Sequence, residues 1–165
     1  MAGAGETAGT GGRAALARRV AVVALVILAL DRATKLWVIE GLGLPAIGRM
    51  EVWDPYLNLV MAWNRGINFG IGASGPEAMR WVLTALAAGI SAALVWWTLA
   101  RAKAEIALGT GLVVGGAIGN AWDRVQYGAV ADFLNMSCCG IQNPYAFNVA
   151  DVAIFAGAVS IALRA

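Results

Sequence analysis

GAIGNAWDRVQYGAVADF, residues 116–133, opens as the last turns of an apolar helix. It then gathers Asn120, Asp123 and Arg124 within five residues and reaches Asp132 past a glycine-containing turn. Polar groups at the mouth of a hydrophobic helix are costly, and they mark function more often than filler. Upstream, Gly111, Gly115 and Gly119 recur every four residues, so one face of this helix admits a close neighbour. Gly116 and Gly119 are read as packing positions.

Composition decides what this helix belongs to. The chain has 165 residues, 60% of them hydrophobic and 13% charged. A soluble domain would carry roughly 45–50% apolar and about 25% charged residues. The reading is a mainly α integral membrane protein, with residues 1–165 forming one membrane-embedded domain. The net charge of +2 is scattered, without the basic face that nucleic-acid binding requires. There is no histidine, which removes a histidine base, a histidine metal ligand and any Ser-His-Asp arrangement. The two cysteines, Cys138 and Cys139, are adjacent. That spacing is ill suited to a relaxed disulfide and is too sparse for a metal site. Chemistry therefore falls to Asp, Glu, Lys, Arg, Ser or Tyr.

Residues 1–12 are rich in Gly, Ala and Thr, and a disordered cytoplasmic tail is expected over about 1–15. Arg13, Arg18 and Arg19 then precede an apolar run. A secretory signal has the same basic start, but no small-residue cleavage site follows. Instead the hydrophobic pattern resumes after Asp31-Arg32-Ala33-Thr34-Lys35, so 20–39 forms a first span of about twenty residues. Residues 41–75 contain Pro45, Pro55 and apolar pieces at 50–53, 57–63 and 69–71, which read as short strands of an extramembrane platform. A second helix is expected over 76–100, with Glu77 in its first turn and Trp81, Trp96 and Trp97 near its ends. A third covers 106–125, a loop covers 126–145, and a fourth helix covers 147–163. Arg13, Arg18, Arg19, Arg101, Lys103 and Arg164 fall at one side, against Arg49, Arg65, Arg80 and Arg124 at the other. That bias places both termini in the cytoplasm.

On this topology the polar residues of three helices reach one depth, near the outer interface. Asp31 and Lys35 share a helix face with the acid first. Asn120 and Arg124 are four apart, and Asn148 and Asp151 three apart. Without histidine, the available engine is a carboxylate pair sharing one proton. One acid activates water while the other protonates the carbonyl oxygen, hydrolysing an amide without a covalent intermediate. Asp31 has Lys35 and Asp123 has the adjacent Arg124 as structural partners, which leaves Asp132 and Asp151 as the pair. Each residue also has a plain alternative: a buried ion pair for Asp31–Lys35, a helix-end network for Asp123–Arg124, a dipole-favoured first-turn acid for Asp151 and a loop acid for Asp132. A Ser137–Lys35 dyad competes with the claim of Asp31 on the lysine. A proton-relaying transporter would spread its acids through the membrane, whereas here they cluster at one end. A non-catalytic assembly protein would use the same contacts as helix glue.

Four blocks in order carry a resemblance: Asp31-Arg32-Ala33-Thr34-Lys35; Asn64-Arg65-Gly66-Ile67-Asn68-Phe69; residues 115–124 continuing through Gly128 and Val130 to Asp132-Phe133; and Phe147-Asn148-Val149-Ala150-Asp151. Over most of 20–163 the chain resembles the lipoprotein signal peptidase (signal peptidase II) family, aspartic peptidases of the bacterial inner membrane. The resemblance implies four transmembrane helices, a small periplasmic β-cradle, and a periplasmic loop or helix between helices 3 and 4. It implies cleavage on the N-terminal side of a diacylglyceryl-modified cysteine in prolipoproteins, at a site near the periplasmic face. It assigns catalysis to Asp132 and Asp151, and substrate binding or orientation to Asp31, Lys35, Asn64, Asn120, Arg124 and Asn148. Asp123 is implied to be structural. Prolipoprotein substrates, membrane lipid and globomycin-type inhibitors are the expected partners of a monomer, with no metal or cofactor and no nucleic acid. Cys138 and Cys139 lie outside the family pattern.

Overall fold

The computed structural model describes residues 10–66 and 76–164. In chain order it contains α1 (Thr10–Leu36), a π-helical turn (Trp37–Gly41), α2 (Leu44–Ile47), β1 (Arg49–Trp53), β2 (Leu57–Asn64), α3 (Pro76–Arg101), α4 (Ala104–Tyr127), β3 (Val130–Asn135) and α5 (Val149–Ala162).

Helix α4 is the hub, packed on α1, α3 and α5. Its glycines explain how three helices crowd one. A Cβ at Gly111 or Gly115 would lie 2.6 Å from Val23 Cβ or Ala24 O, so this face seats α1. A Cβ at Gly116 would collide with Ala150 O, and one at Gly109 would lie 2.8 Å from Gly157 O, so a second face seats α5. A Cβ at Gly119 would lie 2.6 Å from Asp31 Oδ2. The glycine spacing therefore serves two neighbours, and at Gly119 it makes room for a carboxylate. Between α3 and α4, the buried hydroxyls of Thr98 and Thr110 bond at 2.7 Å.

The antiparallel sheet has the order β1-β2-β3. Val38, Leu44, Leu59 and Phe133 form a small core that fastens it to the π-helical turn and α2. Strand β2 sets Ala62 opposite Asp132 and Asn64 opposite Val130. Two of the expected strands are present, while 69–71 lies outside the described residues. The third strand, β3, falls within the segment expected to be a loop. It is buried on both faces, so it lacks the alternation that betrays a half-exposed strand. Gly128, at φ +76, ends α4 and turns the chain into β3. Phe147 pairs with β3 from beyond: its carbonyl accepts from Phe133 N and Leu134 N at 3.0 and 2.8 Å.

Two further boundaries differ from the sequence reading. Helix α1 begins at Thr10, so residues 10–15 are helical where a tail was expected. Ala14, Ala15, Leu16 and Ala17 favour helix, and Leu16 is buried in a cluster with Val20 and Ala107. The fourth helix starts at Val149, with Asn148 as its N-cap. Among the described residues, two helices are long and apolar enough to cross a membrane, Glu77–Arg101 and Ala104–Tyr127. Helix α1 carries Asp31, Arg32 and Lys35, and α5 has 14 residues.

Candidate active site

The site is built on a four-member ion cluster. Lys35, 1% exposed, donates to Asp31 Oδ2 at 2.9 Å, Asp123 Oδ2 at 2.6 Å and Asn120 Oδ1 at 3.2 Å, which uses all three ammonium protons. Arg32 reaches Asp31 Oδ2 at 3.1 Å and also binds Asp123 Oδ1. Two acids and two bases thus close a neutral buried cluster. Its spare acceptors hold backbone: Asp31 Oδ1 takes Ala150 N at 3.2 Å, and Asp123 Oδ2 takes Ala131 N at 3.2 Å. Asp31 therefore ties α1 to the start of α5, and Asp123 ties α4 to β3.

Two acids sit beyond this cluster. Asp132 lies on β3 and is 3% exposed. Its Oδ1 accepts from Asn148 Nδ2 at 2.6 Å and its Oδ2 from Asn64 Nδ2 at 3.1 Å. Asp151 lies in the first turn of α5. Its Oδ1 accepts from Asn120 Nδ2 at 2.8 Å and its Oδ2 from the Asn148 backbone N at 3.1 Å. Asn148 Oδ1 in turn accepts from Asp151 N at 2.9 Å, closing a reciprocal capping box. Asn148, fully buried, thus contacts both carboxylates. Asn120 Oδ1 accepts from Lys35 and from Asn148 Nδ2 at 3.1 Å, which leaves its amide nitrogen to face Asp151. Lys35 touches neither acid of the pair, yet it fixes the asparagine that does.

Burial pushes the Asp132 carboxyl up to about 6, and the negative charge of Asp151 adds to the rise. The hydrogen bonds from Asn64 and Asn148 and the charge of Lys35 oppose it. An acid held near neutrality beside a second carboxylate is suited to proton transfer. Arg124 Nη1 donates to Asn120 O at 3.4 Å, its charge reaches both acids, and its Nε is buried without a partner.

Of the site residues named from the sequence, Asp31, Lys35 and Asp123 belong to the ion cluster, while Asn64, Asn120, Arg124, Asp132, Asn148 and Asp151 join it through the hydrogen bonds that run outward from Lys35 and Asn120; Gly119 packs on Asp31 and Gly116 on Ala150. The partner of Asp123 differs from expectation. Its carboxylate binds Arg32 and Lys35 of α1, because consecutive helix residues such as Asp123 and Arg124 do not face each other. Arg32 was missed as a member, and its place beside Asp31 in the first block was its only signal. The Ser137–Lys35 dyad does not form: Ser137 Oγ accepts from Asn143 N at 3.0 Å, while Lys35 is held by the acids. Cys138 and Cys139 are exposed free thiols.

The fold is similar to two solved bacterial membrane enzyme structures obtained by the in meso method, at 2.3 and 1.9 Å resolution. They are 28% and 27% identical to this chain, with TM-scores of 0.69 and 0.71. Each covers 87% of this chain, over 85% and 90% of its own length. The chain is thus a helical membrane enzyme in class. A family profile described as signal peptidase (SPase) II matches residues 23–165. Lipoprotein signal peptidases of two Rhodopseudomonas palustris strains are 43% and 44% identical, over 85% and 87% of this chain and 87% and 89% of theirs. One from a Methylobacterium is 42% identical over 84% of this chain and 82% of its own. The chain belongs to the signal peptidase II family, a family of aspartic peptidases.

Proposed function

We propose that this chain removes the signal peptide from diacylglyceryl-modified prolipoproteins, with Asp132 and Asp151 activating the attacking water. The observation that carries the assignment is Asn148, whose amide holds Asp132 Oδ1 and whose backbone N–H holds Asp151 Oδ2. One residue thereby sets the two acids at a shared mouth. Asp132, whose proton affinity burial raises, is assigned the general acid. Asp151 takes a proton from water as it attacks the scissile carbonyl, and Asp132 gives its proton to the carbonyl oxygen. Collapse of the tetrahedral intermediate breaks the C–N bond as Asp151 returns its proton to the leaving amine. The gem-diol proton goes back to Asp132. Asn120 and Lys35 orient Asp151, Asn64 orients Asp132, and Arg124 Nε offers a donor to the substrate backbone.

The same reading gives α1, α3, α4 and α5 as four spans of the bacterial inner membrane. The uncovered apolar faces support this: Val22, Leu25, Val26 and Leu30 on α1, Leu86 and Ile90 on α3, and Val152 and Phe155 on α5 are all exposed. Helix α5, about 21 Å long, crosses with the local thinning that short spans induce. Both termini then lie in the cytoplasm, and the sheet forms a periplasmic cradle. The lipidated cysteine holds the scissile bond at the depth of the acids, and this positioning supplies part of the barrier reduction. A monomer suffices, since all the cluster's residues come from one chain. A globomycin-type cyclic peptide is the expected competing ligand.

The test is purified protein in detergent, given a precursor with or without its diacylglyceryl group. Cleavage immediately before the modified cysteine, with the unmodified precursor left intact, is the expected product pattern by mass spectrometry. Equal cleavage of both forms, or of neither, contradicts the proposal.

Asn148 separates structure from chemistry. Asn148→Ala removes the helix cap, costing about 1 kcal/mol, together with both amide contacts to the site. Asn148→Ser restores the cap but not the donor to Asp132. Serine is therefore expected to recover the thermal midpoint while the cleavage rate stays at the alanine level.

A further inference from the structure

At the opposite end of α1 from the acids, about 20 Å along the helix from Asp31, lies a groove between α1 and the start of α4. It has a volume of about 310 Å³ and is lined by Arg18, Arg19, Val22, Val23, Ala104 and Leu108. Its lining is mainly apolar, and two arginines contribute to it. Arg18 and Arg19 form none of the ion pairs or side-chain hydrogen bonds found among the described residues. The charges around them are also mostly positive. Arg13, Arg101, Lys103 and Arg164 share this end of the helices with one acid among the described residues, Glu105, in the first turn of α4. Arg101 sits over the Trp97 ring at 5.1 Å, a cation held at the edge of the apolar layer.

From this we infer that the groove is a binding site for an anionic phospholipid, with an acyl chain along Val22, Val23 and Leu108 and the phosphodiester within reach of Arg18 and Arg19. Guanidinium groups match phosphate oxygens in bidentate geometry, and basic pockets at helix ends favour anionic headgroups. A zwitterionic lipid would set its own cation against the same arginines. A soluble anion would leave the apolar lining uncovered. The occupant lies beside Val23, which packs against Gly111, so it braces α1 on α4 far from the chemistry. The inference needs a headgroup layer at this end of the helices but not the assignment of the acids. Precursor cleavage therefore tests the peptidase reading separately.

The experiment titrates detergent-purified protein with phosphatidylglycerol or phosphatidylcholine. It reads bound lipid by native mass spectrometry and the thermal midpoint in parallel. Phosphatidylglycerol is expected to be retained selectively and to raise the midpoint. Arg18→Gln with Arg19→Gln is expected to weaken that retention by about fivefold per arginine. Arg13→Gln, at the same end but outside the groove, is expected to leave it unchanged. Three results would overturn the site: equal retention of the two lipids by the parent chain, full retention of phosphatidylglycerol by the double variant, or an equal loss in Arg13→Gln. A midpoint shift from inorganic phosphate as large as that from the lipid would overturn the lipid assignment.

Discussion

Asp132→Asn is expected to lower precursor cleavage by on the order of a thousandfold or more while gaining heat resistance relative to the parent as pH rises from about 4 to 6. The loss follows because an amide neither releases nor accepts the shared proton. The gain follows from linkage. An unfolded aspartate titrates near 3.8, whereas burial and Asp151 push the folded Asp132 up to about 6. The native state therefore holds this proton more tightly than the unfolded chain does. The stability this confers is fully present below about pH 3.8 and is lost as pH rises through about 6. A gap of about two units corresponds to about 3 kcal/mol. The asparagine does not titrate, so the variant's advantage should open between pH 4 and 6 and stay level above. Thermal midpoints of both proteins in one detergent at pH 4.5, 6 and 8 measure it. A difference that does not change with pH would refute the account of Asp132.

Lys35→Met is expected to have the largest effect on stability. It leaves Asp31 and Asp123, both fully buried, sharing Arg32 alone. It also strips Asn120 Oδ1 of a donor. Removing one member of a buried ion cluster costs about 3–5 kcal/mol, because the remaining charge is stranded. The cluster joins α1, α4, β3 and α5, so the loss should appear as poor recovery of folded protein and a large fall in the thermal midpoint. Adding Asp31→Asn to Lys35→Met should restore part of the loss, since it removes the excess charge. The exposed Arg49–Asp54 pair, at 3.3 Å, is the contrast. Arg49→Ala should cost less than about 1 kcal/mol. If Lys35→Met is as mild as Arg49→Ala, the cluster is not what holds the helices in register.

The site was legible wherever its contacts follow helical spacing. Asp31 and Lys35 stand four apart and do pair. Asn148 and Asp151 stand three apart and form a capping box. The polar residues of α1, α4 and α5 share one end of the helices, which is where the cluster lies. Contacts between distant segments were harder to read. Nothing local tells Asp123 to choose α1 over its neighbour Arg124; the choice depends on Gly119 letting Asp31 approach α4. Strand β3 is hard to read because both its faces are covered, so the sequence suggests a loop at Asp132, whereas Asp132 pairs opposite Ala62 of β2. The start of α1 is masked by the Gly-rich composition of 1–12, although 14–17 favour helix.

The central claim is that Asp132 and Asp151 act as one pair. Asp151→Asn tests it most directly, because asparagine keeps an acceptor for Asn148 N and leaves the buried ion cluster untouched. The measurement is the cleavage rate of a diacylglyceryl-modified precursor by the purified variant, with its thermal midpoint confirming the fold. The prediction is a folded protein with a rate lower by on the order of a thousandfold or more. A folded variant that keeps a tenth or more of the parent rate would contradict the pair.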